Sequence, residues 1–351
     1  MSARAGELLI IGFEGPRPSK ELLGRIAEGR IGGVVLFARN LGTLDEIAAL
    51  TRELQSAVPP GAPPLVVSLD QEGGRVQRIK APLAVWPPMA QVGARGDEAL
   101  SQAVGRALGA ELHAIGFNVD YAPVLDVHTN PQNPIIGDRA FATEPAEAAR
   151  QALAFWRGLE AAGVRGCGKH FPGHGDTATD SHLELPRVDA AEPRLRAVEL
   201  APFAAAVRAG VPMIMTAHVV YPAIDARPAT LSRRWLDDIL RRELGFGGVI
   251  LSDDLDMKAV AAHFPVEETV IDSLLAGCDA FLACRDVAVQ QKSEAALDHA
   301  AAVDPAVRAR LDESAARLRA FRQTLATPPP ADAWRKLPLA DHLALADRIR
   351  A

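Results

Sequence analysis

Between Lys169 and Pro186 the chain reads KHFPGHGDTATDSHLELP, with three histidines (His170, His174, His182) and two aspartates (Asp176, Asp180) in eighteen residues. Imidazoles exchange protons near neutral pH, and a neighbouring carboxylate orients and polarises them. Asp180, two residues before His182, supplies such a pair. Pro172, Gly173 and Gly175 interrupt regular structure. The stretch therefore reads as a loop that leaves a strand in VRGCGKH and leads to a helix in EPRLRAVELAPFAAAVRAG. A loop so dense in titratable groups at a strand end is a site candidate. Other polar residues end or interrupt apolar runs in the same way. They are Asp70 after PPLVVSL, Asp126 after FNVDYAPVL, His218 within VPMIMTAHVVY, and Asp253 with Asp254 after GGVILS.

Residues so far apart in sequence need a scaffold that gathers strand ends. ELLIIGFEG, IGGVVLFARN, PPLVVSLD, FNVDYAPVLDV, VRGCGKH, VPMIMTAHVVY, GGVILSDDLDM and DAFLACRD read as eight strands. Each is largely apolar rather than alternating, as parallel strands covered on both faces are. Helical patterns separate them. TLDEIAALTRELQSAV opens on a capping box, Thr43 with Glu46, and LSRRWLDDILRREL stops at Gly245. A long helical tract is expected from Val287 to about Leu325. Eight βα units in this length predict a single-domain (β/α)8 TIM barrel over 1–326, whose site lies at the C-terminal ends of the strands. The Pro-rich segment and tail, 327–351, are expected as a short outer helix or a frayed end. An open doubly wound sheet is the rival, but it usually carries a glycine-rich phosphate fingerprint after its first strand, and GFEGPRPS is not one.

The 351 residues are 48% hydrophobic and 23% charged, with a net charge of −6 and interspersed signs. That composition suits a globular protein with a full core. It points to no nucleic acid partner and no membrane partner. Three cysteines in apolar positions argue against a disulfide framework and for a reducing compartment. The N-terminal apolar run is too short for a signal peptide. A cytoplasmic monomer acting on a small molecule is the expectation.

Three chemistries fit the polar constellation. Retaining glycoside hydrolysis needs a nucleophile and a proton donor on opposite sides of the scissile bond, and Asp253 with the Asp180–His182 pair would serve. A metal-dependent barrel hydrolase would use His170, His174 and Asp253 as ligands, with His218 as an optional fourth, although the FPG between His170 and His174 breaks the helix that would align them. A non-catalytic sugar-binding barrel would not need Asp180, His182 and Asp253 together.

The segments GRIGGVVLFARN, SLDQEGGRVQR, NPIIGDRAF, KHFPGHGDTATDSHLELP and GVILSDDLDM resemble those of the bacterial β-N-acetylhexosaminidases of glycoside hydrolase family 3, from the first strand to the eighth. The chain is similar to the single-domain members that act in cell-wall recycling. The resemblance implies that Asp253 is the nucleophile of a covalent glycosyl-enzyme, and that His182 is the acid/base with Asp180 as its partner. It further implies that Asp70, Arg78, Arg139, Lys169 and His170 bind the non-reducing N-acetylglucosamine. The implied substrate is N-acetylglucosamine β-linked to an anhydro-muramoyl peptide, with no cofactor and no metal.

Overall fold

Eight short apolar runs form the inner ring of the protein, a computed structural model that describes residues 4–178 and 185–351. We label them β1 (Leu9–Ile11), β2 (Gly33–Val35), β3 (Val66–Leu69), β4 (Val119–Asp120), β5 (Arg165–Phe171), β6 (Met213–Thr216), β7 (Val249–Asp254) and β8 (Ala280–Ala283). All neighbours pair in parallel, and β1 closes the ring by pairing with both β2 and β8. Leu9 faces Phe281 across the closure, and Met213 lies opposite both Cys167 and Val249. The structure is thus the (β/α)8 barrel that the strand–helix alternation predicts, with parallel strands buried on both faces.

Helices wrap the ring in chain order. Leu44–Ser56 begins with the expected capping box, in which the Glu46 carboxylate accepts from the Thr43 backbone N–H at 2.8 Å. The expected tract after β8 is two helices, Val287–Val303 and Pro305–Gln323, because Asp304 caps the second and Pro305 starts it. Proline suits a first helical position and ends the helix before it. EPRLRAVELAPFAAAVRAG likewise divides into Glu192–Ala197 and Leu200–Ala209. Arg234–Glu243, expected as an ordinary helix, is wound as a π-helix.

Three further departures shape the mouth. β4 stops at Asp120, six residues before Asp126, because Pro123 has no N–H for the ladder; the chain still runs beside β5, where Leu125 N–H donates to Lys169 O at 2.7 Å. The segment after Asp70, where the sequence pattern marks no strand, contains a hairpin, Gln71–Gly73 with Val76–Gln77. Its turn needs Gly74, at φ +56°, where a Cβ would lie 2.8 Å from Pro88 Cα. And β5, expected to end at His170, continues one residue further into the loop segment, through Phe171.

An aromatic cluster anchors that extension. Phe171 is fully buried with ring centroids 5.4 Å from Phe203 and 5.9 Å from Trp235, and Trp235 lies 5.2 Å from Tyr221. Edge-to-face pairs of this kind contribute roughly 0.5–1.5 kcal/mol each beyond their buried area. The Tyr221 hydroxyl donates to Gly173 O, fixing the first turn beyond the strand. At the far end of the chain, helix Ala340–Arg350 packs Ala346 and Ile349 inward, and His342 meets the buried Glu111 carboxylate at 3.1 Å.

Candidate active site

The strand ends and their loops enclose a cleft of about 400 Å³ at the C-terminal mouth of the barrel. Asp70, Arg78, Arg139, Lys169, His170, His174, Asp253, Asp254 and Asp256 all line it. The five residues expected to bind the sugar, and the expected nucleophile, are thus brought to one wall-lined space from β3, β5, β7 and the loops after β3 and β4. Asp180 and His182 lie outside the described residues.

Lys169 is the hub of the floor. Its Nζ is 2.7 Å from Asp70 Oδ1 and 2.6 Å from Glu72 Oε1, and the side chain is 2% exposed. Glu72, equally buried, also takes the Arg139 guanidinium in a two-point contact, Nε at 2.8 Å and Nη2 at 2.7 Å. Arg78 reaches the other Asp70 oxygen at 3.3 Å. Burial works against each of these charges, but the partners prevail. Lys169 and Arg78 hold the Asp70 carboxyl below its usual range, and Arg139 and Lys169 do the same for Glu72. Those carboxylates in turn push Lys169 and Arg139 up. The floor is therefore fully ionised at neutral pH and presents charge-assisted donors in fixed positions.

Asp126, fully buried, organises the next layer. Its Oδ2 lies 2.7 Å from His170 Nδ1, and its Oδ1 accepts from His174 N–H at 2.7 Å. A carboxylate accepts only, so Nδ1 of His170 donates to it, and Nε2 lies 3.5 Å from Arg139 Nη2. His170 and the contacts from His174 hold the Asp126 carboxyl low despite its burial. Burial and the neighbouring His170 push His174 down to about 4, so it stands in the cleft as a neutral imidazole. Its Nδ1 is 2.9 Å from Thr177 Oγ1.

The loop after β4 grips the start of the histidine-rich loop. Asn133 Nδ2 donates to His174 O at 2.8 Å and to Thr177 Oγ1 at 3.1 Å. Thr129 Oγ1 donates to Asp176 Oδ1 at 2.8 Å. The two backbones lie so close that a Cβ on Gly175 would fall 1.7 Å from Val127 O. The segment leading toward Asp180 and His182 is thus fixed at its base.

On the opposite side of the mouth, Asp253 sits near the end of β7. Its Oδ1 accepts from Asp254 N–H at 2.8 Å. Asp254 Oδ1 instead accepts from Asp256 N–H and Cys284 N–H, both at 3.1 Å, tying β7 to β8. Burial first, then the charges of Asp256 and Asp253, raise Asp254 to about 7. Burial thus favours the protonated form of Asp254, and its Oδ1 is occupied by backbone donors.

His218 does not join the site. It follows β6, with Nδ1 2.9 Å from Thr230 Oγ1 and Nε2 3.1 Å from Asp254 O, and burial lowers its basicity. Of the ligands weighed for a metal hydrolase, His218 thus has both ring nitrogens engaged, and the Nδ1 atoms of His170 and His174 are taken by Asp126 and Thr177. Among the described residues, no group of three or more His, Cys, Asp or Glu side chains is placed to hold a metal ion. Sequence reasoning missed Glu72 as the residue that holds both Arg139 and Lys169. Its signal was the spacing Asp70-x-Glu72, which puts both side chains on one face of an extended run.

Comparison with known proteins follows the same lines. Residues 1–320 match the model of the glycosyl hydrolase family 3 N-terminal domain. A β-hexosaminidase of Alkalilimnicola ehrlichii is 38% identical over 335 residues, 94% of this chain and 91% of its own. A β-hexosaminidase of Neisseria meningitidis serogroup C is 41% identical over 275 residues, covering 76% of this chain and 75% of its own. Among solved structures, a family 3 β-N-acetylglucosaminidase from a Paenibacillus species superposes with TM-score 0.90 at 37% identity, covering 98% of this chain and 67% of that one. NagZ from Neisseria gonorrhoeae, in complex with N-trifluoroacetyl-D-glucosamine, superposes with TM-score 0.79 at 32% identity, covering 97% and 96%.

Proposed function

From the premise that the chain belongs to glycosyl hydrolase family 3 and is a glycoside hydrolase of the β-N-acetylhexosaminidase type, we propose that it removes a terminal N-acetylglucosamine from β-linked peptidoglycan fragments, the anhydro-muropeptides, with retention of configuration. The β-hexosaminidase names of the relatives and the N-trifluoroacetyl-D-glucosamine bound by the gonococcal structure support the choice of sugar. The work would be that of a monomer in the cytoplasm.

One observation carries the assignment of roles. In a cleft whose floor holds carboxylates and cations already paired, Asp253 makes no ion pair among the described residues, and it stands at a rigid strand end. Asp70, with Arg78, Arg139, Lys169 and His170, fixes the sugar through its hydroxyl and carbonyl oxygens. Asp253 then attacks the anomeric carbon while His182, held by Asp180, gives its proton to the departing glycosidic oxygen. The C1–O bond breaks as the ester to Asp253 forms. Water, deprotonated by His182, attacks the same carbon and breaks that ester, so two inversions restore the β configuration.

Proton NMR of the reaction with a disaccharide–peptide substrate tests this directly. The β anomer of N-acetylglucosamine should appear first and then mutarotate. Initial release of the α anomer, or no release at all, would contradict the proposal.

A further inference from the structure

The cations of the cleft fall into two groups. Arg78, Arg139 and Lys169, on the β3–β5 side, are each paired with a carboxylate. Lys258 and Arg285, which also line the cleft, follow β7 and β8 on the other side. Both are exposed, whereas Lys169, His170 and His174 are buried. Neither makes an ion pair among the described residues; the nearby Asp256 carboxylate accepts from the Arg285 backbone N–H at 2.7 Å instead. Their loops are joined by that same carboxylate, which also accepts from Asp286 N–H at 3.4 Å. A tied pair of loops thus carries two uncommitted cations to the rim of a cleft whose floor is electrically balanced.

Depth assigns their role. The buried floor suits the sugar that is hydrolysed, and the exposed rim meets whatever is attached to it. We propose that Lys258 and Arg285 bind a carboxylate carried by the aglycone, so that this enzyme selects acidic over neutral β-N-acetylglucosaminides. This rests on the hydrolytic reading of the cleft given above. Arginine's planar fork suits two-point recognition of a carboxylate, and lysine adds a mobile point charge. Charges at an exposed rim also draw the anionic substrate in, an effect that salt screens.

The matched substrates are N-acetylglucosamine β-1,4-linked to anhydro-muramic acid, with a free lactyl carboxylate, and the methyl ester of the same disaccharide. The readout is the ratio of kcat/KM, acid over ester, within each protein. The wild type should favour the acid about tenfold at low salt, and less at high salt. Lys258→Ala and Arg285→Ala should each reduce the ratio about threefold, the double variant should bring it near one, and Lys258→Arg should restore it. Equal rates on acid and ester in the wild type would overturn the inference while leaving the hydrolase reading intact. Cleavage of neither disaccharide would overturn both. If phosphate-dependent formation of the sugar 1-phosphate is lost in the double variant while the acid-to-ester ratio stays at one, the pair serves an acceptor anion and the aglycone assignment falls.

Discussion

Glu72→Gln is the sharpest probe of the paired floor. The wild-type cluster sets Asp70, Glu72 and Asp126 against Arg78, Arg139 and Lys169, three charges of each sign. Glutamine keeps the shape but leaves the cluster with an excess positive charge beside a lysine that is 2% exposed. Removing one partner of a buried ion pair costs about 3–5 kcal/mol. The lower end applies, because Lys169 keeps Asp70 at 2.7 Å and the amide oxygen can still accept. At roughly 2 °C per kcal/mol for a chain of this size, Tm should fall by about 6 °C. Arg139 also loses its two-point anchor, and a displacement near 1 Å of a substrate-positioning group can cost on the order of 10²-fold. We expect that loss in kcat/KM on an aryl N-acetyl-β-glucosaminide.

The pH dependence has a definite sign. Burial would raise the Glu72 carboxyl, but Arg139 and Lys169 hold it well below its ordinary 4.5. Its contribution is therefore present above 4.5 and is lost as pH falls through the depressed folded value. The Tm gap between wild type and variant should be constant from about pH 6 to 8 and close in acid. A variant with unchanged Tm and unchanged kcat/KM would refute the account of the floor.

Asp254→Asn should behave oppositely with pH. Burial, Asp256 and Asp253 raise the Asp254 carboxyl to about 7, so its favourable contribution is full below 3.8 and is lost as pH rises through 7; urea midpoints should show the variant gaining on the wild type from pH 5 to pH 8, and a pH-independent difference would contradict this. Asn133→Ala removes the hydrogen bonds to His174 and Thr177, so kcat on a disaccharide should fall roughly tenfold, part of the 10²–10⁴ that general acid catalysis supplies, with a smaller loss on a nitrophenyl glycoside. Equal losses on both substrates would leave the Asn133 contacts purely structural. Deleting 340–351 should strip Glu111 of His342 and uncover the apolar surface under Ala346 and Ile349, lowering Tm in a calorimetric scan by several degrees; an unchanged Tm would show that the helix adds nothing to stability.

The barrel and much of its mouth were legible because each depends on local pattern. Apolar runs separated by caps and glycines announce parallel strands with covering helices, and a barrel converges Asp70, Lys169, His170 and Asp253 without further information. What failed to appear depends on contacts across the fold. The Asp70-x-Glu72 spacing places Glu72 on the face of Asp70, but that Arg139 and Lys169 bracket it depends on residues far away in sequence. His218 follows an apolar strand just as His170 ends one, yet Thr230 and the Asp254 carbonyl draw it away from the cleft. The strand-like run through Asp126 was cut short by Pro123, a local signal that the apolar composition outweighed in the sequence reading.

The central claim is that Asp253 becomes covalently attached to the sugar. Incubation with a slow 5-fluoro N-acetyl-β-glucosaminyl donor, proteolysis and peptide mass spectrometry measure it directly. The account predicts a sugar ester on Asp253 in the peptide that spans GVILSDDLDM. A label on Asp254, or an oxazoline product with no labelled carboxylate, would contradict it.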